Sequence, residues 1–156
     1  MWWTLFALAA APAVVVESDG TVVATVVLDA SEAEVRALLA DSVAAARLSA
    51  DVLEATASTH GRCEQMEIST RGFLRPLTVV TLRCPTADGW RETLLRSDDF
   101  TRYVTEWRIS TVVGGTRVEH RVNVGVDLPV PEAAVRQGLL DAVVAKVDAL
   151  RTRLAR

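Results

Sequence analysis

The sequence is poor in several residue types on which common protein chemistries depend. Its 156 residues include one lysine, Lys146, together with two histidines, two cysteines and one tyrosine. It contains no glycine-rich phosphate-binding loop and no G-x-S-x-G nucleophile elbow. The histidines, His60 and His120, lie far apart in the chain and form no zinc-binding pattern with the cysteines. We therefore predict no metal and no cofactor, and the single lysine argues against Schiff-base chemistry inside the fold.

The balance of charge argues against nucleic acid as a partner. The formal net charge is -3, and the positive residues, nearly all arginine, are scattered along the chain instead of forming a stripe. Apolar residues make up 50% of the composition and charged residues 24%, which is typical of a globular protein. A chain of this length suits one domain. No pattern in the sequence predicts its oligomeric state.

Residues 1–16 form an apolar run with no charged side chain before Glu17. This run is too short to span a bilayer comfortably, which takes about 20 residues, so we predict no stable membrane span. One interpretation is a signal peptide, although no lysine or arginine precedes the run, and this predicts a periplasmic or secreted protein. The A-x-A-like cleavage sites would involve Ala7, Ala9, Ala11 and Ala13. The alternative is an N-terminal arm folded into a cytoplasmic protein, and in both cases the main domain spans residues 17–156.

Hydrophobic spacing predicts a strand, short helices, a series of strands and a long final helix. The valine-rich segment from Thr21 to Leu28 is typical of a strand. Ser31 and Glu34 form an S-x-x-E capping box, so a helix begins there, and Asp41 can divide it into two short helices. Further strands are predicted over residues 51–59, 62–70, 77–84, 90–97, 102–113 and 116–127. The final helix begins at Pro131 and carries an apolar stripe of Val135, Leu139, Val143, Val147, Leu150 and Leu154.

The two cysteines fall in neighbouring predicted strands. If those strands pair around a turn over residues 71–76, Cys63 lies directly opposite Cys84, within reach of a disulfide. Both cysteines would then lie on the outer face of the sheet, while Met66, Ile68 and Val79 point inward. The alternative is a pair of unlinked thiols that happen to face each other.

The last two strands are predicted to form a hairpin around a Gly114–Gly115 loop. In that register Trp107 faces Val122 and Ile109 faces His120 on the covered side of the sheet. The preceding strand has two possible alignments. One turns Arg91 inward, and the other turns Glu92 and Arg96 inward. Asp98 and Asp99 are predicted to form a solvated turn.

The order of these elements resembles that of the START-like superfamily, also called SRPBCC. The residues that carry the resemblance are the run LDASEAEVRALLADSVAAARLS and the tail RISTVVGGTRVEHRVNVGVDLPVPEAAVRQGLLDAVVAKVDALRTRLAR, and it extends over roughly residues 20–156. It implies an α+β, helix-grip fold: a curved antiparallel sheet of about seven strands wrapped around the long C-terminal helix, with one or two short helices after the first strand. It also implies an apolar cavity between sheet and helix. The ligand-binding residues would be Met66, Ile68, Val79, Tyr103, Trp107, Ile109, Val118, His120, Val122, Leu139 and Val143.

Three functions are compatible with this resemblance. The first is binding or carriage of a small hydrophobic ligand, such as a lipid or an aromatic or isoprenoid compound, without catalysis. The second is an enzyme of the polyketide cyclase or aromatase kind, with His120 and Tyr103 as acid and base. The alternative for His120 is a neutral side chain bonded to Tyr103 or to the backbone. The third function is an interaction module with a filled cavity, whose exposed face would carry Arg108, Arg117 and Arg121.

Overall fold

The fold is built on one antiparallel sheet that curves without closing. The computed structural model describes residues 11–72 and 74–155, and in this part of the chain the sheet has eight strands, in the order β1-β2-β8-β7-β6-β5-β4-β3. The strands are β1 (Ala13–Val16), β2 (Val22–Leu28), β3 (Val52–His60), β4 (Cys63–Thr70), β5 (Leu77–Pro85), β6 (Gly89–Arg96), β7 (Phe100–Val112) and β8 (Gly115–Val126). The helices are α1 (Glu32–Ala40), α2 (Ser42–Ala46) and α3 (Glu132–Leu154). This arrangement confirms the predicted helix-grip architecture.

The first strand adds one member to the sheet of about seven strands that was predicted. In β1, Ala13 pairs with Thr25 and Val16 pairs with Val22 of β2. The end of the apolar N-terminal run is therefore an edge strand of the domain, because its valines pair along the backbone with β2. The predicted signal peptide spans residues 1–16, of which residues 1–10 lie outside the described residues.

The two short helices begin where their capping residues predict. The Ser31 hydroxyl accepts a hydrogen bond from the Glu34 backbone N–H at 3.2 Å, and the Glu34 carboxylate accepts one from the Ser31 N–H at 2.8 Å. This reciprocal pair satisfies two backbone donors at the start of α1. The Asp41 carboxylate then accepts a hydrogen bond from the Ala44 N–H at 2.9 Å and begins α2. Residue 41 thus ends one helix and starts the next, as the sequence indicated.

Helix α3 packs against the sheet through the second half of its apolar stripe. Val143, Val147 and Leu150 are fully buried in a core shared with β2, β7, β8 and α1. Val135 and Leu139, in the first half, are only partly buried and border open pockets. The helix is therefore tightly held at one end and stands over unfilled space at the other. No helix among the described residues is long and apolar enough to cross a membrane.

The register of the last hairpin differs from the predicted one by two positions. Trp107 pairs with His120 and Ile109 pairs with Val118, because the loop consists of Val113 and Gly114 and not of two glycines. Gly115 belongs to β8, where a side chain would place its Cβ 2.0 Å from the Leu28 carbonyl oxygen. Close approach to β2 therefore determines which glycine lies in the strand. The shift is even, so the same residues face inward.

Cys63 and Cys84 are joined by a disulfide between β4 and β5, with their Cα atoms 4.4 Å apart. In the same hairpin Ile68 pairs with Val79, and both side chains are buried. The cysteines lie at positions of opposite parity to these residues, which places them on the outer face of the sheet.

Candidate functional site

A cavity of about 170 Å³ lies between the concave face of the sheet and α3. Its apolar walls include Ile68, Phe100, Trp107, Val122, Val124, Leu139 and Val143, with Ala45 and Ala46 of α2 at one side. Polar side chains also reach it: Ser42, Ser49, Thr70, Arg83, Glu92, Tyr103, Thr105, His120 and Lys146. The cavity thus combines an apolar wall with a group of charged and hydrogen-bonding residues.

The structure divides the predicted ligand-binding residues into two groups. The cavity wall contains Ile68, Tyr103, Trp107, His120, Val122, Leu139 and Val143. The packed core contains Met66, Val79, Ile109 and Val118, which are buried but do not border the cavity. Alternation along a strand predicted the inward face correctly for both groups. It does not reveal which part of that face is covered by other side chains.

His120 is buried in the cavity wall and stacks on Trp107. The two ring centroids are 3.9 Å apart and the ring planes differ by 18°. The His120 Nδ1 atom lies 3.1 Å from the Glu106 carbonyl oxygen, which only accepts hydrogen bonds, so Nδ1 carries the proton. Burial, followed by the positive charge of Lys146, holds the pKa of His120 well below its ordinary value of 6.5. His120 is therefore a neutral imidazole bonded to backbone, with its Nε2 lone pair unprotonated.

Tyr103 lies further along the same face of β7. Its ring meets Phe100 edge to face, with ring centroids 5.4 Å apart. Burial raises the pKa of the Tyr103 phenol, and the nearby Glu92 carboxylate raises it further, so the hydroxyl remains a proton donor. Tyr103 pairs with Val124, four residues from His120 along β8. At about 3.3 Å per residue the backbone positions of the two residues are therefore about 13 Å apart along the sheet.

Arg83, Glu92 and Thr105 form one row across β5, β6 and β7, because each pairs with the next in the sheet register. Arg83 is only 4% exposed and donates a hydrogen bond to the Leu39 carbonyl oxygen at the end of α1. The Glu92 carboxylate accepts a hydrogen bond from the Thr81 hydroxyl at 2.6 Å. Burial lowers the pKa of the Arg83 guanidinium, and the carboxylates of Glu92 and Glu64 oppose that shift. An inward charged row of this kind needs partners inside the fold.

The sheet register decides between the two alignments left open for β6. Glu92 faces the cavity, while Arg91 lies outside and binds Glu106 at 2.7 Å. Arg96 is exposed because an irregularity in the pairing of Val80 and Thr81 interrupts the alternation. The predicted pair of inward residues, Glu92 and Arg96, is therefore half correct. The inward position of Arg83 was not predicted, although it follows Val79 at an even spacing on β5.

Lys146 borders the cavity, which corrects the expectation that the single lysine excludes amine chemistry there. Its Nζ atom lies 5.8 Å from the centroid of the Trp107 ring. Burial lowers the pKa of Lys146; Glu92 acts against this shift and Arg83 adds to it. A signal was present in the sequence, since Lys146 stands seven residues after Leu139 and four before Leu150 on the same face of the helix. Because lysine is charged, Lys146 did not count toward the apolar stripe of the helix.

Solved structures of other proteins share this arrangement of sheet and helix. One is a START superfamily protein from Mycobacterium smegmatis, with 20% identity, a TM-score of 0.73, and coverage of 86% of this chain and 97% of that one. Another is the Zhui aromatase/cyclase from Streptomyces sp. R1128, with 17% identity, a TM-score of 0.70, and coverage of 87% and 93%. A STAR-related lipid transfer protein from Xanthomonas axonopodis has 16% identity, a TM-score of 0.67, and coverage of 94% and 100%.

The chain has the START-like helix-grip fold. At these identities the similarity concerns the fold alone. No protein-family model and no curated protein matches the sequence.

A second, outer pocket adjoins the cavity of this helix-grip fold. It has a volume of about 430 Å³ and shares Phe100, Val124 and Leu139 with the inner cavity. Its remaining wall includes Leu77, Val126, Leu128, Val130, Ala134 and Val135. The first half of α3, which is poorly covered by the sheet, forms one side of it. The inner cavity and the larger outer pocket are therefore adjacent and share a wall of three apolar residues.

Two features outside the cavity, the arginines of the outer face and Asp99, form ion pairs. The arginines of the outer face are paired: Arg108 lies 2.9 Å from Glu106, Arg117 lies 3.7 Å from Glu119, and Arg121 lies 2.7 Å from Glu17. Such pairing leaves little free positive charge for an acidic partner. Asp99 is not in a solvated turn as predicted. It is 3% exposed and binds the Arg75 side chain at 2.5 Å.

His60 is exposed at the end of β3 and takes no part in the cavity. Within residues 11–72 and 74–155 no group of three His, Cys, Asp or Glu side chains is arranged to hold a metal ion.

Proposed function

We propose that the protein binds a small hydrophobic molecule that carries one polar group. The observation that carries this proposal is the row of Arg83, Glu92 and Thr105, which shares the cavity with an apolar wall. The polar group of the ligand would lie against that row. Its apolar part would extend past Phe100 and Leu139 toward the outer pocket. Apolar pockets with a few convergent polar groups are typical small-molecule sites.

The volumes set the size of the ligand. An apolar cavity of about 150 Å³ holds one benzene-sized ring, so the inner space of about 170 Å³ suits one aromatic ring or a short chain. A larger ligand would also occupy the outer pocket of about 430 Å³, which is within the usual range for small-molecule sites. Isoprenoid, fatty and polycyclic aromatic compounds have suitable dimensions. Two neighbours in fold are named as a lipid transfer protein and an aromatase/cyclase, which supports ligand binding by this chain.

The proposal is tested with a pair of alanine substitutions on α3, one at the cavity wall and one at the surface. Ala142 borders the cavity and Ala145 is exposed, so Ala142→Phe reduces the internal space while Ala145→Phe does not. We expect native mass spectrometry and displacement of an apolar dye to show binding of 2-naphthalenemethanol by the wild type and by Ala145→Phe. Binding by Ala142→Phe should fall about tenfold or more, because overpacking costs about 1–3 kcal/mol. Absence of binding by the wild type, or equal binding by all three proteins, would contradict the proposal.

A second candidate function is cyclisation of a poly-carbonyl chain, with His120 and Tyr103 as base and acid. The observation that favours it is the unprotonated Nε2 of His120 and the protonated phenol of Tyr103 on one wall of the cavity. Because their backbone positions are about 13 Å apart along the sheet, they would act at different positions of an extended substrate. Turnover of a short poly-β-ketone thioester, followed by mass spectrometry, tests this function. The function requires that the wild type turns over this substrate. His120→Gln and Tyr103→Phe should each reduce the rate by about 100-fold.

We also propose that the protein works outside the cytoplasm. The disulfide between Cys63 and Cys84 supports this location, because such bonds persist in oxidising compartments. Sequencing the N-terminus of the mature protein from its native host, together with cell fractionation, tests it. A cytoplasmic protein that retains Met1 would contradict it.

A further inference from the structure

We propose that Lys146 forms a Schiff base with the carbonyl group of an apolar aldehyde or ketone held in the cavity. This inference rests on the proposed binding function and specifies the chemical class of the ligand. It turns the cavity into a site of reversible covalent attachment. Lys146 is the only side-chain amine in the sequence, so the reaction has a single possible site inside the fold.

The position of the amine is the first support for this inference. Lys146 reaches the cavity from α3, between Leu139 and Val143 on one side and the sheet on the other. Its Nζ atom lies 5.8 Å from the centroid of the Trp107 ring, which forms an apolar wall beside it. Among the described residues, none makes a hydrogen bond or a close ion pair with Nζ. The amine is therefore open to a ligand in the cavity.

The charges around the amine are the second support. Arg83 on β5 and Glu92 on β6 act on it from the sheet, and the neutral His120 on β8 stacks on the Trp107 ring near it. Burial, the largest effect, lowers the pKa of Lys146, and Arg83 adds to this shift while Glu92 opposes it. A larger fraction of the amine is then unprotonated near neutral pH than for a surface lysine. Only the unprotonated amine is a nucleophile.

The reaction balances without any further reagent. The Nζ lone pair attacks the carbonyl carbon, and the electron pair of the C=O bond moves to oxygen, which takes up a proton. The nitrogen of the resulting carbinolamine loses a proton, and the hydroxyl group leaves as water once it is protonated. A C=N bond replaces the C=O bond, so one amine and one carbonyl yield one imine and one water. The Glu92 carboxylate stabilises the positive charge of the protonated imine, since it already favours the charged form of Lys146.

The same charges favour a carbonyl ligand over a carboxylate. An anion would need a permanent positive partner, and the Arg83 guanidinium already engages the Leu39 carbonyl oxygen and Glu64. The Arg83 Cζ atom also lies 4.8 Å from the centroid of the Trp90 ring. The cavity also contains the negative charge of Glu92, which repels a second carboxylate. A neutral carbonyl meets no such repulsion.

The test uses 2-naphthaldehyde and sodium cyanoborohydride, which reduces an imine to a stable secondary amine. Intact mass and peptide mapping then locate the adduct and separate Lys146 from the N-terminal amine. The matched control is the double variant Lys146→Met with Arg153→Lys, whose only lysine lies on the exposed face of α3. We expect the wild type to form the adduct at Lys146 at least about tenfold faster than the control forms it at residue 153, because the cavity holds the reactants together.

Binding of 2-naphthalenemethanol, which has no carbonyl, separates the two possible failures. If the alcohol binds but the adduct forms at Lys146 no faster than at the surface lysine, the Schiff-base inference is wrong and the binding function stands. If the alcohol does not bind, both are wrong. Tight binding of 2-naphthoate that Lys146→Met abolishes, without an aldehyde adduct, would show that the lysine serves as a counter-charge and would also overturn the inference.

Discussion

The Trp107 indole and the His120 imidazole stack across β7 and β8, with ring centroids 3.9 Å apart. They do so because the two residues are direct partners in the antiparallel register. The stack covers one face of the imidazole with the Trp107 ring, and His120 is 1% exposed. The hydrogen bond from His120 Nδ1 to the Glu106 carbonyl oxygen fixes which nitrogen carries the proton. The histidine is thereby kept neutral inside the fold.

This burial predicts how stability changes with pH. The pKa of His120 lies below 6.5 in the folded state and returns to about that value on unfolding, so the unfolded chain binds a proton first as the pH falls. The stability that the fold keeps by holding His120 neutral is fully present above pH 6.5. It is lost as the pH falls from 6.5 toward the folded-state pKa of His120. Through this residue the free energy of unfolding changes by at most about 1.4 kcal/mol per pH unit. Urea unfolding between pH 5 and 8 measures it.

Two substitutions provide the comparison for this pH dependence. His120→Gln removes the titrating group, so its unfolding free energy should vary less between pH 5 and 6.5. His60→Gln, at an exposed position, should keep the slope of the wild type. Equal slopes in all three proteins would show that His120 is not the source of the pH dependence.

Asp99 is predicted to stabilise the start of β7. Its carboxylate accepts hydrogen bonds from the Thr78 backbone N–H at 2.9 Å and from Arg75 at 2.5 Å, and these lower the pKa of Asp99. Asp99→Ala should reduce the free energy of unfolding by about 1–3 kcal/mol, because the Thr78 N–H loses its charged partner. Asp98→Ala, at the adjacent exposed position, should change it by less than about 0.5 kcal/mol. Similar losses in the two variants, measured by urea unfolding, would contradict this role.

The disulfide between Cys63 and Cys84 is predicted to stabilise the domain. It closes a segment with a sequence separation of 21 residues, and in the chain-entropy model this contributes roughly 3 kcal/mol. The double variant Cys63→Ser, Cys84→Ser should lose that amount in urea unfolding. Reductant should destabilise the wild type to the same extent and leave the double variant unchanged. Two titratable thiols in denatured, unreduced wild type would disprove the bond.

The sequence predicted the fold more completely than the site. Capping residues such as Ser31 and Asp41 act through neighbouring backbone groups, so their effect can be predicted from the local sequence alone. The same is true of alternation in β7, where Trp107 and Ile109 are buried as predicted. The hairpin register was wrong because it depends on which glycine approaches Leu28, a residue almost ninety positions earlier in the chain.

Spacing is consistent with inward positions for Arg83 and Lys146, but it does not show that a charged side chain is buried there. Arg83 and Lys146 carry charges that normally lie at the surface, and both reach the cavity because partners from other elements are near. Leu39 lies 44 residues from Arg83, and Glu92 and Lys146 are on different elements of the fold. Their proximity exists only after the sheet has curved over α3.

The sequence by itself determined the elements, their order and the face that each strand turns inward, because these depend on local backbone geometry and on a two-residue or 3.6-residue period. The tertiary structure alone decided where the inward faces meet closely and where they leave a cavity. It also decided that one lysine, one arginine and one glutamate border that space. The physical reason is that the separation between sheet and helix follows from the curvature of the whole sheet and the packing of distant side chains, which no local pattern encodes.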